Sequence, residues 1–165
     1  MRCVTLYQPF ATMIALGVKT FETRAWRTFH RGPLAIHAAK KVPANLRCHL
    51  GESHFQRFFE KYGLTVEQLP TGCVICTVTL HRCMVTDGQT PKTVGANNWN
   101  FGDWRPSRFA WELRDVKRFE PIPAGGTQGL WDWAAPAELE KATNLSVDDY
   151  LQFMRDRMIA KGAML

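Results

Sequence analysis

The spacing of apolar residues changes several times along the chain, and each change predicts a different element. In several short runs the apolar residues alternate with polar ones or are rich in β-branched and aromatic types, which indicates strands. The predicted strands are residues 3–7, 20–26, 32–40, 72–86, 108–120 and 130–135.

Helical spacing follows Pro9 and returns in residues 45–62. Pro9 suits the first position of a helix, and Gly17 is a natural stop for it. Ser53 is a candidate N-cap within the second region, where an aromatic stripe ends before Gly63. The stripe consists of Phe55, Phe58, Phe59 and Tyr62.

A third helix is predicted after Ser146, which is followed three residues later by Asp149 in the manner of a capping box. One face of this helix is apolar, with Val147, Tyr150, Leu151, Met154 and Met158. We expect residues 139–165 to be a C-terminal extension that packs on a domain of residues 1–138. A helix that binds a partner protein is the alternative.

The order of the elements predicts an α+β fold built on a small mixed β-barrel with peripheral helices. Its strands are uneven in length, and regular crossover helices do not separate them. This argues against a doubly wound sheet, because parallel βαβ units need such crossovers.

Residues 87–107 separate the two longest predicted strands and are rich in Gly, Pro, Asn and Thr. A loop of this length inside a compact domain is usually functional or disordered. Three aromatic residues favour an ordered segment over a disordered one: Trp99, Phe101 and Trp104.

Charge is distributed unevenly over the 165 residues, a length typical of a single domain. Residues 1–50 hold eight Lys or Arg and one acid, Glu22, whereas the remainder holds 13 basic and 14 acidic residues. The net charge of +6 therefore arises in the first third, as a footprint for a phosphate backbone requires. A solvated basic face without a partner is the alternative.

The sequence also excludes several classes of protein. No apolar run reaches the roughly 18 residues of a membrane span, and the first residues do not resemble a signal peptide. We therefore expect a cytoplasmic protein with reduced thiols and no membrane partner.

Neither a metal nor a cofactor is predicted. The sequence lacks a P-loop, a G-x-S-x-G elbow and an H-E-x-x-H helix. Cys73 and Cys76 form a C-x-x-C that is followed by His81 and Cys83, and this pattern could indicate zinc. The run is one continuous strand, in which alternation would place Cys73 and Cys76 on opposite faces, so buried thiols are the better interpretation.

The candidate chemistry centres on Glu22, which shares a strand face with Arg24 and Trp26 and lies close to Lys19. A carboxylate between two cations can hold them for phosphate contacts, can accept a hydrogen bond from an exocyclic amine of a base, or can act as a general base. A purely structural ion pair is equally compatible with this spacing.

Two further polar residues lie near the predicted first helix and third strand. Gln8 either hydrogen-bonds a ligand or closes the corner between strand and helix. His37 is flanked by apolar residues, and such a histidine is more often a satisfied core residue than a catalyst.

The stretch LYQPFATMIALGVKTFETRAWRTFHRGPLAIHAAK resembles the ASCH domain family (activating signal cointegrator-1 homology). It shares the family's Q-P helix start, then G-x-K-x-x-E-x-R-x-W, then R-G-x-L-x-I-H-A. The later FGDWRPSRFAWELRDV and PIPAGGTQGLWDW are similar to bacterial members. The resemblance covers residues 3–135 and leaves out the helix after residue 145.

This resemblance implies a PUA-like barrel whose cleft lies beside the helix that starts at Pro9. It implies RNA, another single-stranded nucleic acid or a modified nucleotide as the ligand. We expect Gln8 and Glu22 to orient or read a base, and Trp99 or Trp104 to stack on it beside Trp26. The expected phosphate contacts are Lys19, Arg24 and Arg31, with Lys40 and Lys41.

The resemblance also leaves an enzyme open. Small relatives are amidohydrolases that cleave N4-acylated cytidines and carry K-T-x-T-x-R. This chain has KTFETR, in which Glu22 replaces the threonine nucleophile and Thr23 faces the other side of the strand. If the chain is an enzyme, Glu22 activates water and Lys19 is its electrostatic partner. A ribonuclease is a further possibility, although no His pair or His/Lys pair can be assigned to it.

Overall fold

The structure of the chain is a computed structural model that describes residues 1–41, 43–44, 46, 50–87, 94–140 and 144–162, with the backbone only at 140 and 157–162. These residues form six strands and four α-helices. The strands are β1 (Arg2–Leu6), β2 (Phe21–Arg24), β3 (Gly32–Ala38), β4 (Cys73–Val85), β5 (Phe109–Pro123) and β6 (Leu130–Asp132). The helices are α1 (Phe10–Ala15), α2 (Ser53–Tyr62), α3 (Ala96–Asn100) and α4 (Val147–Gly162).

The strands make one mixed sheet in the order β2-β5-β4-β3-β1-β6, curled into a half-barrel. β1 and β3 are parallel, and every other neighbouring pair is antiparallel. The predicted α+β class with a small mixed barrel is confirmed. The long strands β4 and β5 form the middle of the sheet, while the short strands β2 and β6 are its edges.

All six predicted strands are present, with shifted ends. β2 stops at Arg24 because Arg24 pairs with Phe109, the first residue of β5, so Trp26 lies beyond the strand. β5 runs on to Pro123 rather than ending at residue 120.

The predicted orientation of the two cysteines in β4 is wrong. Ile75 has no partner in β3 because the register shifts there: His37 pairs with Val74, but Ile36 pairs with Cys76. Such a bulge reverses the inward and outward alternation beyond it. Cys73 and Cys76 therefore both contribute to the main core, as buried thiols. Among the described residues, no group of three metal-ligating side chains is found.

The main core lies between the concave face of the sheet and the helices. Met13 and Ile14 of α1, Phe55 and Phe58 of α2, and residues of α4 meet there with side chains from β1, β3, β4 and β5. Tyr150, Leu151 and Met154 are the α4 residues in this core, which counts against α4 as a helix that binds a partner through that face.

The helix ends follow local rules with one exception. Gly17 and Gly63 take the left-handed backbone at the ends of α1 and α2, as predicted. The amide of Asp149 donates to Ser146 Oγ at 3.0 Å, which confirms Ser146 as the cap of α4. Ser53 is wrong as an N-cap, because it is the first residue of α2 and instead accepts hydrogen bonds from Arg57.

Part of three sequence predictions lies outside the described residues. Residues 141–143 and 163–165 of the predicted C-terminal extension are among these, and so is the side chain of Met158 on its predicted apolar face. Residues 45 and 47–49 belong to the predicted second helix, and residues 88–93 belong to the long segment before β5. The described part of that segment contains α3, whose Asn98 binds the edge strand β2. Asn98 Oδ1 accepts from the amides of Thr20 at 2.8 Å and Phe21 at 3.0 Å.

No helix among the described residues is long and apolar enough to cross a membrane.

Candidate functional site

A cleft of about 600 Å³ opens where the parallel strands β1 and β3 end. It is lined by Tyr7 and Phe10, by Glu22 and Arg24 of β2, and by the loop 126–129 between β5 and β6. Its remaining lining residues are Thr5, Leu6, Trp26, Ala39 and Lys41. This first cleft lies beside the start of α1, the position that the resemblance implied.

Glu22 is the one acid among the described residues that line the first cleft, and two cations bind it from different sides. Lys19 Nζ donates to Glu22 Oε2 at 2.9 Å, and Arg24 Nη1 lies 3.6 Å from Oε1. The second distance is beyond a hydrogen bond, and Oε1 accepts no hydrogen bond from any described residue. Oε1 therefore has capacity to accept a hydrogen bond from a ligand.

Lys19 lies behind Glu22 and away from the solvent. Its side chain is 1% exposed, and its ammonium also donates to the carbonyl of Phe21. The turn after α1 fixes this position, since the amides of Val18 and Lys19 both donate to the carbonyl of Met13. An ammonium with so little solvent needs a paired carboxylate, and Glu22 supplies it. The predicted phosphate contact by Lys19 does not fit this buried position.

Arg24 and the aromatic side chains form the accessible walls of the first cleft. The Arg24 guanidinium lies 5.7 Å from the centre of the Trp26 ring. Trp26 in turn packs edge-on against buried Trp111, with 4.7 Å between ring centroids, so its position is well fixed. Tyr7 also lines the first cleft and is half-exposed. These rings offer apolar faces that a planar ligand could stack on.

Gln8 is buried and has a structural role. Its amide nitrogen donates to the carbonyl of Pro70 at 2.6 Å, and its side-chain oxygen accepts from the amide of Thr12 at 3.1 Å. The second bond satisfies an amide in the first turn of α1 that has no helical partner. Gln8 therefore closes the corner between β1 and α1 and does not line the first cleft.

The predicted basic residues divide between the cleft and the outer surface. Lys41 lines the first cleft together with Arg24. Arg31 is exposed and donates to the carbonyls of Thr28 and His30, and Lys40 is exposed near Gly72. Neither Arg31 nor Lys40 lines the first cleft.

The two tryptophans of the long segment differ. Trp104 is buried, donates its Nε1–H to the carbonyl of Asn98 at 3.0 Å, and packs on Phe21. In this position it is not available to stack on a base. Trp99 is half-exposed, but it does not line the first cleft.

His37 is a core residue. Its Nε2–H donates to the carbonyl of Ala124 at 3.1 Å, and its ring packs edge-on against Trp131. Burial lowers the pKa of His37, because the imidazolium would lose its hydration there. Burial likewise raises the pKa of the Cys3 thiol to about 12, so this cysteine is not a thiolate nucleophile.

The sequence pattern does not identify several residues that line the first cleft. It places Phe10 only in the core and the loop 126–129 only in a turn. Gly126 in that loop approaches His37 so closely that an added Cβ would clash with the imidazole ring. No local pattern signals this contact, because it joins residues far apart in sequence.

The half-barrel and its cleft define a PUA-like domain. Residues 4–123 match the ASCH domain family, and because this is well over half of the chain, the chain belongs to that family. The helix α4 lies outside the matched region.

Named relatives and a solved structure agree with this assignment. Activating signal cointegrator 1 from Homo sapiens and from Mus musculus are each 30% identical over 82 residues, which cover 50% of this chain and 14% of the relative. The match thus spans a small part of those longer proteins. The crystal structure of ASCH from Zymomonas mobilis has a TM-score of 0.51 at 16% identity and covers 85% of this chain and 90% of its own. At that identity, the likeness shows the fold.

Proposed function

We propose that this domain binds single-stranded RNA and holds one nucleotide, standard or modified, in the first cleft. The observation that carries the proposal is the Glu22 carboxylate, which lines the first cleft, is held at Oε2 by buried Lys19 and accepts no hydrogen bond at Oε1 from a described residue. The PUA-like fold is associated with RNA binding, which supports the same ligand class.

The chemistry of the first cleft suits each part of a nucleotide. Glu22 Oε1 would accept a hydrogen bond from an exocyclic amine such as cytosine N4. Tyr7 and Trp26 would stack on the base, an interaction typically worth about 1–3 kcal/mol. Arg24 and Lys41 would bind the phosphate, where a guanidinium can bind two oxygens at once.

Fluorescence anisotropy with a labelled single-stranded RNA tests this proposal, over a series of salt concentrations. We expect Arg24→Gln and Lys41→Gln each to weaken binding and to reduce the slope of log K against log salt by about 0.7 for each phosphate that is no longer neutralised. Arg82→Gln is the matched control, because Arg82 is half-exposed on β4 and does not line the first cleft. Equal weakening in all three variants, or binding by wild type that ignores salt, would contradict the proposal.

An amidohydrolase acting on an N4-acylated cytidine is a second candidate, and the Lys19–Glu22 pair favours it. In this mechanism Glu22 would take a proton from water as the water attacks the acyl carbon, and Arg24 would stabilise the oxyanion. The bond between the acyl carbon and N4 would then break as Glu22 returns the proton to N4, which releases cytidine and the carboxylic acid. Thr23 is unsuited as a nucleophile in the first cleft, because it faces a neighbouring depression and its hydroxyl accepts from the amide of Asp103 at 2.8 Å.

Turnover of N4-acetylcytidine, followed by chromatography, distinguishes this enzyme from a binding domain. The enzyme predicts cleavage by wild type and loss of cleavage in Glu22→Asp, which keeps the charge but withdraws the carboxylate by one methylene. Melting curves establish that the variant is folded. Absence of product at high wild-type concentration would exclude this reaction.

A further inference from the structure

A second cleft adjoins the first and was not predicted from the sequence. Its volume is about 780 Å³, and it shares Phe10 and Glu22 with the first cleft. It lies on the side of β2 that Thr23 faces, between α2 and the segment after α3. Because both clefts are large enough for a nucleotide and share a wall, a ligand in one can continue into the other.

Aromatic rings form the floor of the second cleft. Phe55 packs against Phe10 and Phe101, with ring centroids 5.9 Å and 5.4 Å apart. The His54 ring lies on this cluster, 4.5 Å from Phe55 and 5.5 Å from Phe101, and its side chain is 23% exposed. The second cleft thus presents a flat, partly exposed ring at a fixed position, as base stacking requires.

Three acids among the described residues line the second cleft, Glu22, Glu52 and Asp103, and Glu22 is paired with Lys19 and Arg24 as described above. Asp103 forms ion pairs with Arg105 at 2.6 Å and Arg108 at 3.2 Å, and the hydrogen bond from Arg105 holds its pKa below the usual range. Glu52 lies 3.4 Å from His54. The cations beside Glu22 and Asp103 reduce the repulsion of these two carboxylates for a phosphate backbone.

A third, smaller depression continues from the second cleft. It has a volume of about 150 Å³ and shares His54, Asn100 and Phe101 with the second cleft. Arg57 and Lys61 of α2 line it, and none of its described lining residues is acidic. Arg57 donates to the carbonyl and hydroxyl of Ser53, which holds its guanidinium over α2. This basic pocket suits one phosphate group rather than a base.

We infer that the two clefts and the basic pocket form one groove for a single-stranded RNA. One nucleotide occupies the first cleft at Glu22, the adjacent nucleotide stacks on His54 in the second cleft, and the phosphate beyond it binds Arg57 and Lys61. This inference rests on the proposed function and extends it from one nucleotide to a strand. It predicts that affinity rises with strand length until the basic pocket is filled.

The test compares single-stranded RNA of one, two, three and five nucleotides, using wild type and Arg57→Gln/Lys61→Gln. Both substituted residues are exposed, so the fold is expected to persist, and a melting curve checks it. Arg2→Gln/Arg82→Gln is the matched control, because it also removes two positive charges and neither residue lines the groove.

The inference predicts that wild type and the control gain affinity from one to three nucleotides. Arg57→Gln/Lys61→Gln should bind the mononucleotide as wild type does and should keep the gain from one to two nucleotides, but it should lose the gain from two to three. Its slope of log K against log salt for the five-nucleotide RNA should fall by about 0.7 for each phosphate that the variant no longer neutralises. His54→Ala should reduce the gain from one to two nucleotides.

Other outcomes separate this inference from the proposed function. If the affinity of Arg57→Gln/Lys61→Gln rises with RNA length as that of wild type does, the groove is overturned. If Arg24→Gln still loses mononucleotide binding in that case, the proposed function stands. If wild type binds no RNA of any length, both are overturned. Competition by poly-glutamate as strong as that by RNA of equal charge would show a general basic surface and would also overturn the groove.

Discussion

Glu22 and Lys19 determine what the site can do, because each compensates the charge of the other. The ammonium of Lys19 is almost completely removed from water, and Glu22 is the carboxylate that balances it. The carboxylate has a second cation, Arg24, and borders the first cleft. Loss of Glu22 would therefore remove the carboxylate that balances Lys19, whereas loss of Lys19 would leave Glu22 with Arg24 as a partner.

Removal of Glu22 is expected to destabilise the fold strongly. Glu22→Gln leaves a buried ammonium without its counter-charge, and breaking such a pair from one side costs about 3–5 kcal/mol. Lys19→Met should cost less, because Glu22 keeps Arg24, and the double variant should recover much of the stability. Urea denaturation of all four proteins gives the coupling. Additive effects would show that the pair is not energetically coupled.

His37 should make stability depend on pH. Burial lowers its pKa from the ordinary value of 6.5, so below that pH the unfolded chain binds a proton that the folded chain does not. The contribution of His37 to the free energy of unfolding should be greatest above pH 6.5. As the pH is lowered from 6.5, this free energy should decrease by at most about 1.4 kcal/mol per pH unit. The decrease should end below the pKa of His37 in the folded protein.

His37→Gln tests this pH dependence, since glutamine can still donate to the carbonyl of Ala124 but does not titrate in this range. Urea denaturation between pH 5 and 7.5, roughly one unit or more to each side of the ordinary histidine pKa, should show a weaker pH dependence in the variant. Equal slopes for variant and wild type would contradict this role of His37.

Residue positions were only partly predictable from the sequence. Strand alternation placed Glu22 and Arg24 on one face, and both line the first cleft, whereas Trp26 lines it from beyond the end of β2. It could not tell that Gln8 and Trp104 are buried, because their hydrogen-bond partners are set by the folded chain rather than by the strand pattern. Burial of a polar residue depends on tertiary partners rather than on local spacing.

At the scale of elements, the edge strand β2 depends on α3. β2 pairs through its backbone with β5 on one side only, and Asn98 satisfies the amides of Thr20 and Phe21. Asn98 Nδ2 also donates to Thr20 Oγ1 and to the carbonyl of Val94, so one side chain joins both elements. The strand that carries Glu22 and Arg24 is thereby fixed from the segment before β5.

Asn98→Ala should destabilise the protein and loosen the first cleft. It leaves two amides without their acceptor, and each buried polar group left unsatisfied costs about 1–3 kcal/mol. Urea denaturation should show the lower stability, and hydrogen exchange should become faster at Thr20 and Phe21. Asn97→Ala, at an exposed position of α3, is the control. Unchanged exchange at the two amides would contradict the anchoring role.

The existence of the strands was predictable, whereas the irregularities that shape the sheet were not. Period-two patterns and β-branched content identify all six strands, because side chains in a strand alternate between faces. The bulge at Ile75 breaks that rule without a glycine or proline to mark it. The position of the cysteines in β4 was mispredicted for this reason. The groove beyond Glu22 was also missed, because α2 and α3 come together only in the folded chain.

At the scale of the whole molecule, α4 completes the core although it follows the family region. Leu151→Ala should cost about 2–5 kcal/mol, because it opens a cavity where the side chain packs in the main core. Gln152→Ala, on the exposed side of the same helix, should have little effect. Thermal and urea denaturation measure both. Equal stability of the two variants would show that α4 is not part of the folding unit.

Only some of the basic residues in the first third of the chain line the first cleft. Arg24 and Lys41 line the first cleft, Lys19 is neutralised behind it, and Arg31 and Lys40 lie on the outer surface. The net positive charge can attract RNA over a distance, but the position of the bound nucleotide depends on the few residues around Glu22.

Photocrosslinking of a single-stranded RNA that carries a photoreactive thiouridine tests whether a base occupies the first cleft. Mass spectrometry of the adduct identifies the residues that touch the base. We expect adducts on Tyr7, Phe10 or Trp26, and their loss in Arg24→Gln. Adducts confined to the outer face of β4 and β5, around Arg82 and Arg114, would contradict this expectation.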